Sequence, residues 1–288
     1  MRYGFIWEHR KRFKVQRMCD VMEVSRSGYY SWLARPVSQR VREDRQLIVH
    51  IRSIFKASRE TYGSPRVQMA MRRQGIHCSR KRVARLMNQE RLQPKKVKRF
   101  RVTTRSKDNH PKAPNVLNRR FTVEGPDKAW AGDITYLWTD EGWLYLAVLL
   151  DLFSRRVVGW ATSEWLTKEL ALTALRRALV ERNPAQGMLH HTDQGCQYTS
   201  DEYQRVLRNE GLTGSMSRKG DCFDNAVVES FFATVKTELG DHFESREQAH
   251  AALFDYIEIF YNRQRLHTFL GGMTPLEAEE TIAGKAAA

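Results

Sequence analysis

Hydrophobic positions along this chain fall into two regimes, one at helical spacing up to about residue 93 and one at strand spacing from residue 126. In the first regime Val15, Met18, Val21 and Met22 share one helical face. Residues 13–35 therefore read as two short helices. Ser25 or Ser27 caps the second, Tyr29, Tyr30, Trp32 and Leu33 form its inner side, and Pro36 ends it. A small helix-turn-helix and a plain helical hairpin with solvated basic faces fit this pattern equally. Residues 42–93 read as three helices. Leu47, Ile48, Ile51, Ile54 and Phe55 make an apolar stripe, and Glu60-Thr61-Tyr62-Gly63 a turn. Ser64-Pro65 then reads as N-cap and first helical residue, with Val67, Met69, Ala70 and Met71 following and Gly75 as the stop. Ser79 caps a third helix that turns Val83, Leu86 and Met87 inward and Arg80, Lys81, Arg82 and Arg85 outward. Residues 94–125 carry little periodicity, several prolines and a run of cations, as a linker does.

In the second regime, Ala129–Trp138 alternates, and Trp143–Phe153 (WLYLAVLLDLF) is almost wholly apolar, as a strand buried on both faces is. Arg155–Ser163 adds a third strand, and the short connections predict an antiparallel meander. A helix capped by Thr167 runs to Arg182 with Leu170, Leu172, Leu175 and Leu179 inside. Met188–Thr192 is a short strand, Asp201–Glu210 a helix stopped by Gly211, Asp224–Leu239 a helix, and Ser245–His267 a long one burying Ala249, Leu253, Tyr256, Ile257 and Phe260. Three meandering strands, a helix, a strand and further helices are the order of a ribonuclease-H-like α/β domain, a mixed sheet with helices, here preceded by small all-helical regions. The expected divisions are a basic helical segment 1–40, a helix-turn-helix-like domain 41–93, a basic linker 94–125, a catalytic core 126–240 and a helical extension 241–288.

Charge sharpens the contrast between the two regimes. Of 48 Lys+Arg and 33 Asp+Glu, residues 1–125 hold 32 and 9, a balance of +23, and the remainder 16 and 24, a balance of −8. So localised a basic excess implies a polyanion, most simply nucleic acid, although a basic extension without a nucleic-acid role has the same composition. The helix bearing Arg80, Lys81, Arg82 and Arg85 suits a DNA groove, and a merely solvated face is the alternative. The linker's Lys95, Lys96, Lys98 and Arg99 join the same candidate surface. No apolar run is long enough to span a membrane, and the first residues lack the apolar region of a secretion signal. Cys19, Cys78, Cys196 and Cys222 show no metal or disulfide spacing, which predicts reduced thiols and a cytoplasmic protein.

Three acidic residues carry the candidate chemistry: Asp133 within a strand, Asp193 at a strand's end, and Glu229 on a helix, the last two separated by 229 − 193 − 1 = 35 residues. Cutting a phosphodiester needs a deprotonated attacking oxygen and a stabilised leaving oxygen, which two Mg²⁺ (or Mn²⁺) ions held by a few carboxylates supply. Asp133 stands among Ala131, Ile134 and Tyr136, where an unpaired charge is costly. Each acid also has a plainer reading: Asp133 as a strand-edge cap, Asp193 as a turn former, Glu229 as a helix surface residue. Asp151 is a rival, since it too interrupts an apolar strand. Lys236 lies about two turns beyond Glu229 on the same helix face, where it can hold a phosphate beside a metal or simply face solvent. His190 and His191 point to opposite faces of a strand, so they do not readily share one zinc ion.

Trp130-Ala131-Gly132-Asp133-Ile134-Thr135, the run His190–Ser200 around Asp193, and Ser217–Phe232 through Glu229 together resemble the DDE core shared by retroviral integrases and bacterial transposases. The nearer resemblance is to the second-frame protein of the IS-three family of insertion sequences. Tyr62-Gly63-Ser64-Pro65-Arg66 is similar to that family's helix-turn-helix-like region, and Tyr261–His267 with Leu270–Pro275 to its C-terminal signature. Cys196 stands where serine is more usual in the family. The resemblance implies Asp133, Asp193 and Glu229 as ligands of two divalent ions and Lys236 as a contact to transposon-end DNA. It implies a bacterial nucleoid protein that cleaves at the element's terminal inverted repeats to free a 3′ hydroxyl and transfers that strand to target DNA. It also implies a first-frame partner protein, separate or fused by frameshift, since no heptad zipper runs through this chain; and because joining two ends needs two active sites or one used twice, the reaction itself leads to the expectation of a dimer or larger assembly on DNA. Two other functions fit the residues: a nuclease that hydrolyses without joining, and a DNA-binding protein that keeps the core as a scaffold.

Overall fold

The computed structural model describes residues 2–95, 111–218 and 221–286, and the chain divides into two units, Met1–His50 and Ile51–Ala288. In the first unit, α1 (Arg2–His9), α2 (Val15–Val21) and α3 (Arg26–Ala34) enclose a small core of Ile6, Met18, Cys19 and Tyr29. The Ser25 hydroxyl accepts the Gly28 N–H at 3.0 Å, the cap expected from the sequence. Two expectations are corrected. Within the expected helical segment 1–40 a further helix, α1, precedes the two read from the pattern, and Val21, Tyr30, Trp32 and Leu33, expected inside, are exposed. A helix of nine residues in so small a unit has one narrow stripe to bury, and Tyr29 occupies it.

Helix α4 (Gln39–Ala57) enters the second unit and, with α5 (Ser64–Arg73) and α6 (Arg80–Gln89), forms the trihelical region. Ile51, Ile54, Phe55, Val67, Met71, Val83, Leu86 and Met87 are its buried side chains. The cap of α5 is Gly63 rather than Ser64, so Pro65 sits within the first turn, where its missing N–H costs nothing. Tyr62 joins this region to the C-terminal part of the same unit: its hydroxyl accepts the Leu266 N–H at 2.6 Å and donates to the Gln264 carbonyl.

Strands β1 (Ala129–Thr139), β2 (Gly142–Asp151) and β3 (Val157–Ser163) form the predicted antiparallel meander. Helix α7 (Lys168–Arg182) leads to β4 (Leu189–Thr192), and short α8 (Cys196–Thr199) and α9 (Asp201–Asn209) lead to β5 (Thr213–Met216). The sheet order is β3-β2-β1-β4-β5, with β4 parallel to β1 and to β5. Helix α10 (Ala226–Glu238) follows, then β6 (His242–Phe243), which pairs with the far end of β1. One face of the sheet packs its alternate residues, Ala131, Leu146, Val148 and Leu150, on α10 and the C-terminal helices. The other face packs Trp130, Ala147, Leu149 and Val158 on α7 and α9. Gly159 admits the close approach of α7: a Cβ there would sit 2.6 Å from Ala178 Cβ and clash with the Ala174 carbonyl.

Four details differ from the sequence reading. Thr167 precedes α7 but makes no side-chain cap. Asp224 and Asn225 belong to a 3₁₀ turn before α10 rather than to the helix. The expected helix Ser245–His267 is α11 (Arg246–Phe254) running into a π-helical stretch, Asp255–Tyr261, in which Tyr256, Ile257, Phe260 and Tyr261 are buried. Beyond it the chain folds back, His267 bridging Met273, before α12 (Pro275–Ala286). Residues 111–125 form no regular element, yet they lie against the core, with Leu117 buried and the Val116 and Leu117 N–H groups donating to Ser215 Oγ. Among the described residues, no helix is long and apolar enough to cross a membrane.

Candidate active site

Strand pairing decides where two of the acids meet. β1 and β4 run parallel in the register Trp130↔His190 and Ala131↔His191. Asp193 follows two residues beyond that pairing, close enough for its charge to act on Asp133. Asp133 shares the parity of Ala131 and Leu137, so it projects to the α10 face of the sheet. Its Oδ1 accepts the Ile134 N–H at 2.8 Å. Asp193 follows the end of β4, and its Oδ1 accepts the Gly195 N–H at 2.9 Å in a tight turn. Gln194 fastens that turn to β5's end by donating to the Ser217 carbonyl at 2.9 Å.

Glu229 stands exposed in the first turn of α10. The start of that helix is tied to β1 next to Asp133, since Asn225 Nδ2 donates to the Gly132 carbonyl at 3.2 Å. Asp224 anchors the turn before it. Its carboxylate accepts from Arg218 at 2.7 and 2.9 Å, from Arg119 Nε at 2.9 Å and from Asn115 at 2.8 Å. Those guanidinium bonds hold Asp224 well below the ordinary carboxylate range. The sequence reading did not give these positioning residues a role. Asp224 and Asn225 stood beside Glu229 in the closing motif, but Arg119 carried no local signal. Lys236, half-buried two turns along α10, lies with Nζ 4.6 Å over the Tyr136 ring, and burial pulls its pKa down.

The electrostatics of the three acids are those of uncompensated charge. Burial, then the neighbouring Asp193, push Asp133 well above the ordinary value, with Glu229 adding to the shift and the Ile134 N–H opposing it. Burial raises Asp193 against the Gly195 hydrogen bond. Partial desolvation and the Asp193 charge raise Glu229. Among the described residues, no salt bridge engages any of the three, and no three His, Cys, Asp or Glu side chains close into a ready-made metal cage. A divalent ion is the charge that would offset such mutually repelling carboxylates. The donor set, all carboxylate oxygen, fits a hard cation.

The rival readings resolve on geometry. Asp151 turns its oxygens to the N–H groups of Asp127, Phe153 and Ser154 at 2.8 to 3.0 Å, so it braces the β2–β3 bend. His190 Nε2 meets Tyr203 OH at 2.8 Å on one face, and His191 meets Ser215 and Ser217 hydroxyls at 2.9 and 3.2 Å on the other. Burial holds their pKa values down to about 3 and about 4, so both are neutral. Of the candidate DNA contacts, Arg80, Lys81 and Arg85 are exposed on α6 and Arg82 is half-buried. Ser79 caps that helix, its hydroxyl accepting the Arg82 N–H at 3.2 Å. Lys95 is engaged at the C-terminus of α10, donating to the Glu238 carbonyl at 2.6 Å. Lys96, Lys98 and Arg99 lie outside the described residues.

A meander followed by two parallel strands, with one acid within β1 and another just past the end of β4, defines a protein of the integrase-core class. An integrase core domain matches residues 123–222, a second integrase core domain description matches 229–281, and an HTH-like domain matches 42–100. The chain is 44% identical over 265 residues to an uncharacterized 31 kDa protein of insertion element IS600 from Shigella sonnei, covering 91% of this chain and 97% of the relative. It is 43% identical over 285 residues to the transposase InsF for insertion sequence IS3A of Escherichia coli K12, covering 97% and 98%. The chain belongs to this family of insertion-element transposases. Among solved structures, a chain of a simian T-cell lymphotropic virus intasome is similar with TM-score 0.47 at 17% identity, covering 74% of this chain and 70% of that one. The HTLV-2 integrase catalytic core domain in complex with magnesium gives TM-score 0.43 at 19% identity, covering 54% and 97%.

Proposed function

We propose that this chain is a DNA transposase: it binds the terminal inverted repeats of its insertion sequence, cleaves there to free a 3′ hydroxyl, and joins that end to target DNA. The observation that carries the reading is that Asp133, within β1, and Asp193, just past the end of the adjacent β4, act on each other's charge, with Glu229 on α10 close enough to feel both. Asp133, Asp193 and Glu229 would hold two Mg²⁺ or Mn²⁺ ions. When bound, the ions supply Lewis-acid stabilisation of the attacking and leaving oxygens. The chain's own residues do the rest. Asn225 and Asp224 fix the start of α10 relative to β1, and the Asp193–Gly195 turn sets one carboxylate against the other. Lys236 stands on the same helix as Glu229 to meet a phosphate of the transposon end. In cleavage a water oxygen attacks phosphorus and the 3′ oxygen leaves. In joining that 3′ hydroxyl attacks a target phosphodiester and displaces the next 3′ oxygen, so the two steps are one exchange with different nucleophiles.

Arg80, Lys81, Arg82 and Arg85 on α6, with the cations after Lys95, supply the DNA-holding surface. Two ends must be handled, so the working form is a dimer or larger on DNA, with a first-frame protein as partner or fusion, in the bacterial cytoplasm. The test is a divalent-metal-dependent cleavage and joining assay on the element's own terminal repeats, comparing wild type with Glu229→Gln, each alone and with the first-frame protein. Joined product from wild type and none from a variant that still binds DNA is the expected result. Cleaved but never joined product indicates a plain nuclease. No product under any condition, with salt-sensitive binding intact, returns the core to a scaffold role.

A further inference from the structure

The second unit, Ile51–Ala288, holds the trihelical region together with the core, although residues 94–125 read as a linker between two domains. Side chains of the trihelical region reach later parts of the chain at four places. Tyr62 is 4% exposed, and its hydroxyl accepts the Leu266 N–H at 2.6 Å and donates to the Gln264 carbonyl. Arg73, in the last turn of α5, donates to the Gly272 carbonyl at 3.1 Å and to both carboxylate oxygens of Glu277 on α12, one of them at 2.9 Å. Arg59 pairs with Asp255 at 2.6 Å and lies 4.6 Å over the Phe260 ring. Lys95 donates to the Glu238 carbonyl at 2.6 Å.

Two of these contacts are directional. A buried hydroxyl set between a peptide N–H and a carbonyl satisfies groups that are costly to leave unpaired. A guanidinium on both oxygens of one carboxylate fixes angle as well as distance. The clasp ends on the helix that carries the third acid. Glu238 is the last residue of α10, at the opposite end from Glu229. Its carboxylate is held by Arg265 at 2.6 and 2.9 Å and by the Tyr256 hydroxyl at 2.7 Å, with Arg66 of α5 3.6 Å away. On the other side, α6 packs on α5, with Val67, Met71, Val83 and Leu86 buried, and turns Arg80, Lys81 and Arg85 to solvent. A continuous series of held groups therefore runs from the exposed cations of α6 to the helix that bears Glu229.

We propose that Tyr62 and Arg73 are positioning residues that decide which phosphodiester is cut, by clasping the DNA-holding helix α6 to the core. The proposal rests on the transposase reading. A DNA-holding module on a loose tether presents several neighbouring bonds to the carboxylates, because the span of a linker varies with its conformation. Clasped, α6 stands at a constant distance from Asp133, Asp193 and Glu229, and the spacing from the held DNA to the cut bond is set by the fold. This holds whichever chain of an assembly supplies the carboxylates, because every chain carries the same clasp. A displacement of about 1 Å at the reacting atoms costs on the order of 100-fold in rate, so small slack in the clasp is read out at the bond.

The experiment uses the full chain with the first-frame protein, on duplexes carrying the element's terminal repeat. Wild type is compared with Tyr62→Phe, which keeps the ring and loses the hydroxyl, with Arg73→Gln, and with Arg73→Lys, which keeps the charge without the fork. Gly159→Ala, a change between β3 and α7, controls for lost stability away from the clasp. With divalent metal, the cut bonds are mapped on end-labelled strands. Without metal, a photoreactive base is stepped along the repeat, and its crosslinks to α10 are mapped. Wild type is expected to cut one bond and to crosslink α10 from one position. Tyr62→Phe and Arg73→Gln spread both over neighbouring nucleotides, the share at the principal bond falling several-fold, and Arg73→Lys recovers part of it. Gly159→Ala slows cutting without moving it. Clasp variants that cut and crosslink at the wild-type position, at whatever rate, overturn the proposal, as does a wild type whose crosslinks are spread or absent. Sharp wild-type crosslinks that blur in the variants, with no cutting by any of the proteins, keep the positioning role and sink the transposase reading.

Discussion

Glu229 in the first turn of α10 gains from the helix dipole whether or not it binds metal, so its position alone does not distinguish a ligand from a surface acid. Metal linkage does. If Asp133, Asp193 and Glu229 share a divalent ion, Mg²⁺ binds only the folded chain and raises its melting temperature, and Glu229→Gln reduces that rise. Cleavage and joining should fall by more than ~100-fold, beyond the 10–100-fold typical of outer-shell partners. A variant that melts with the same Mg²⁺ response as wild type sinks the assignment. His267 gives a second expectation. Burial, then the Arg265, Arg66 and Arg155 charges, hold its folded pKa well below the ordinary value of about 6.5, so between those values the unfolded chain binds more protons, and stability is full above pH 6.5 and lost as pH falls. His190 and His191 act with the same sign. The raised carboxylates act with the opposite sign, so the readout is the difference between wild type and His267→Gln: in urea unfolding at pH 7.5 and 5.5, wild type should lose more stability than the variant, by up to about 1.4 kcal/mol per pH unit. An unchanged slope would place a protonated His267 in the folded state. At this scale the sequence singled out Asp133, Asp193 and Glu229 as candidates, because each stands in a dense local motif. It was silent on Arg119, whose partner Asp224 is 105 positions away, and on Arg73, whose partner Glu277 is 204 positions away.

Elements were legible where burial imposed a period. The meander followed from alternation in β1 and from the apolar run of β2, and α5 and α6 from their apolar stripes and turn residues. Strand β5 (TGSM) is four residues without alternation, and β6 is two, so neither left a signal. The π-helical stretch was hidden for another reason: Tyr256, Ile257, Phe260 and Tyr261 are spaced as in an α-helix, so their apolar pattern does not distinguish the two turns. The closeness of β3 and α7 was equally invisible, yet it depends on one residue. Gly159→Ala should destabilise the core by ~1–3 kcal/mol, because its methyl meets Ala178 and the Ala174 carbonyl, neither the end of a flexible side chain. Chemical denaturation measures this. A neutral outcome would mean α7 can slide off the sheet without cost.

Across the whole molecule, charge runs against local stability at α6. Arg80, Lys81 and Arg82 fill the first turn, with no acid there, although the N-terminal end of a helix dipole favours negative charge. A surface selected only for folding would place Asp or Glu at these positions. The exposed Arg80 and Lys81 make sense if an external polyanion supplies compensating charge, in keeping with the +23 balance of residues 1–125 against −8 for the remainder. Stability and DNA affinity should therefore separate. Lys81→Glu is expected to leave the melting temperature unchanged or raise it, while weakening DNA binding and lowering the log–log salt slope by about 0.9 for the lost phosphate contact. Affinity titrations across a salt series, paired with melting curves on the same samples, read both effects. A variant that loses stability and binds DNA as wild type does would make α6 a structural helix, and the DNA-holding role would pass to the cations beyond Lys95.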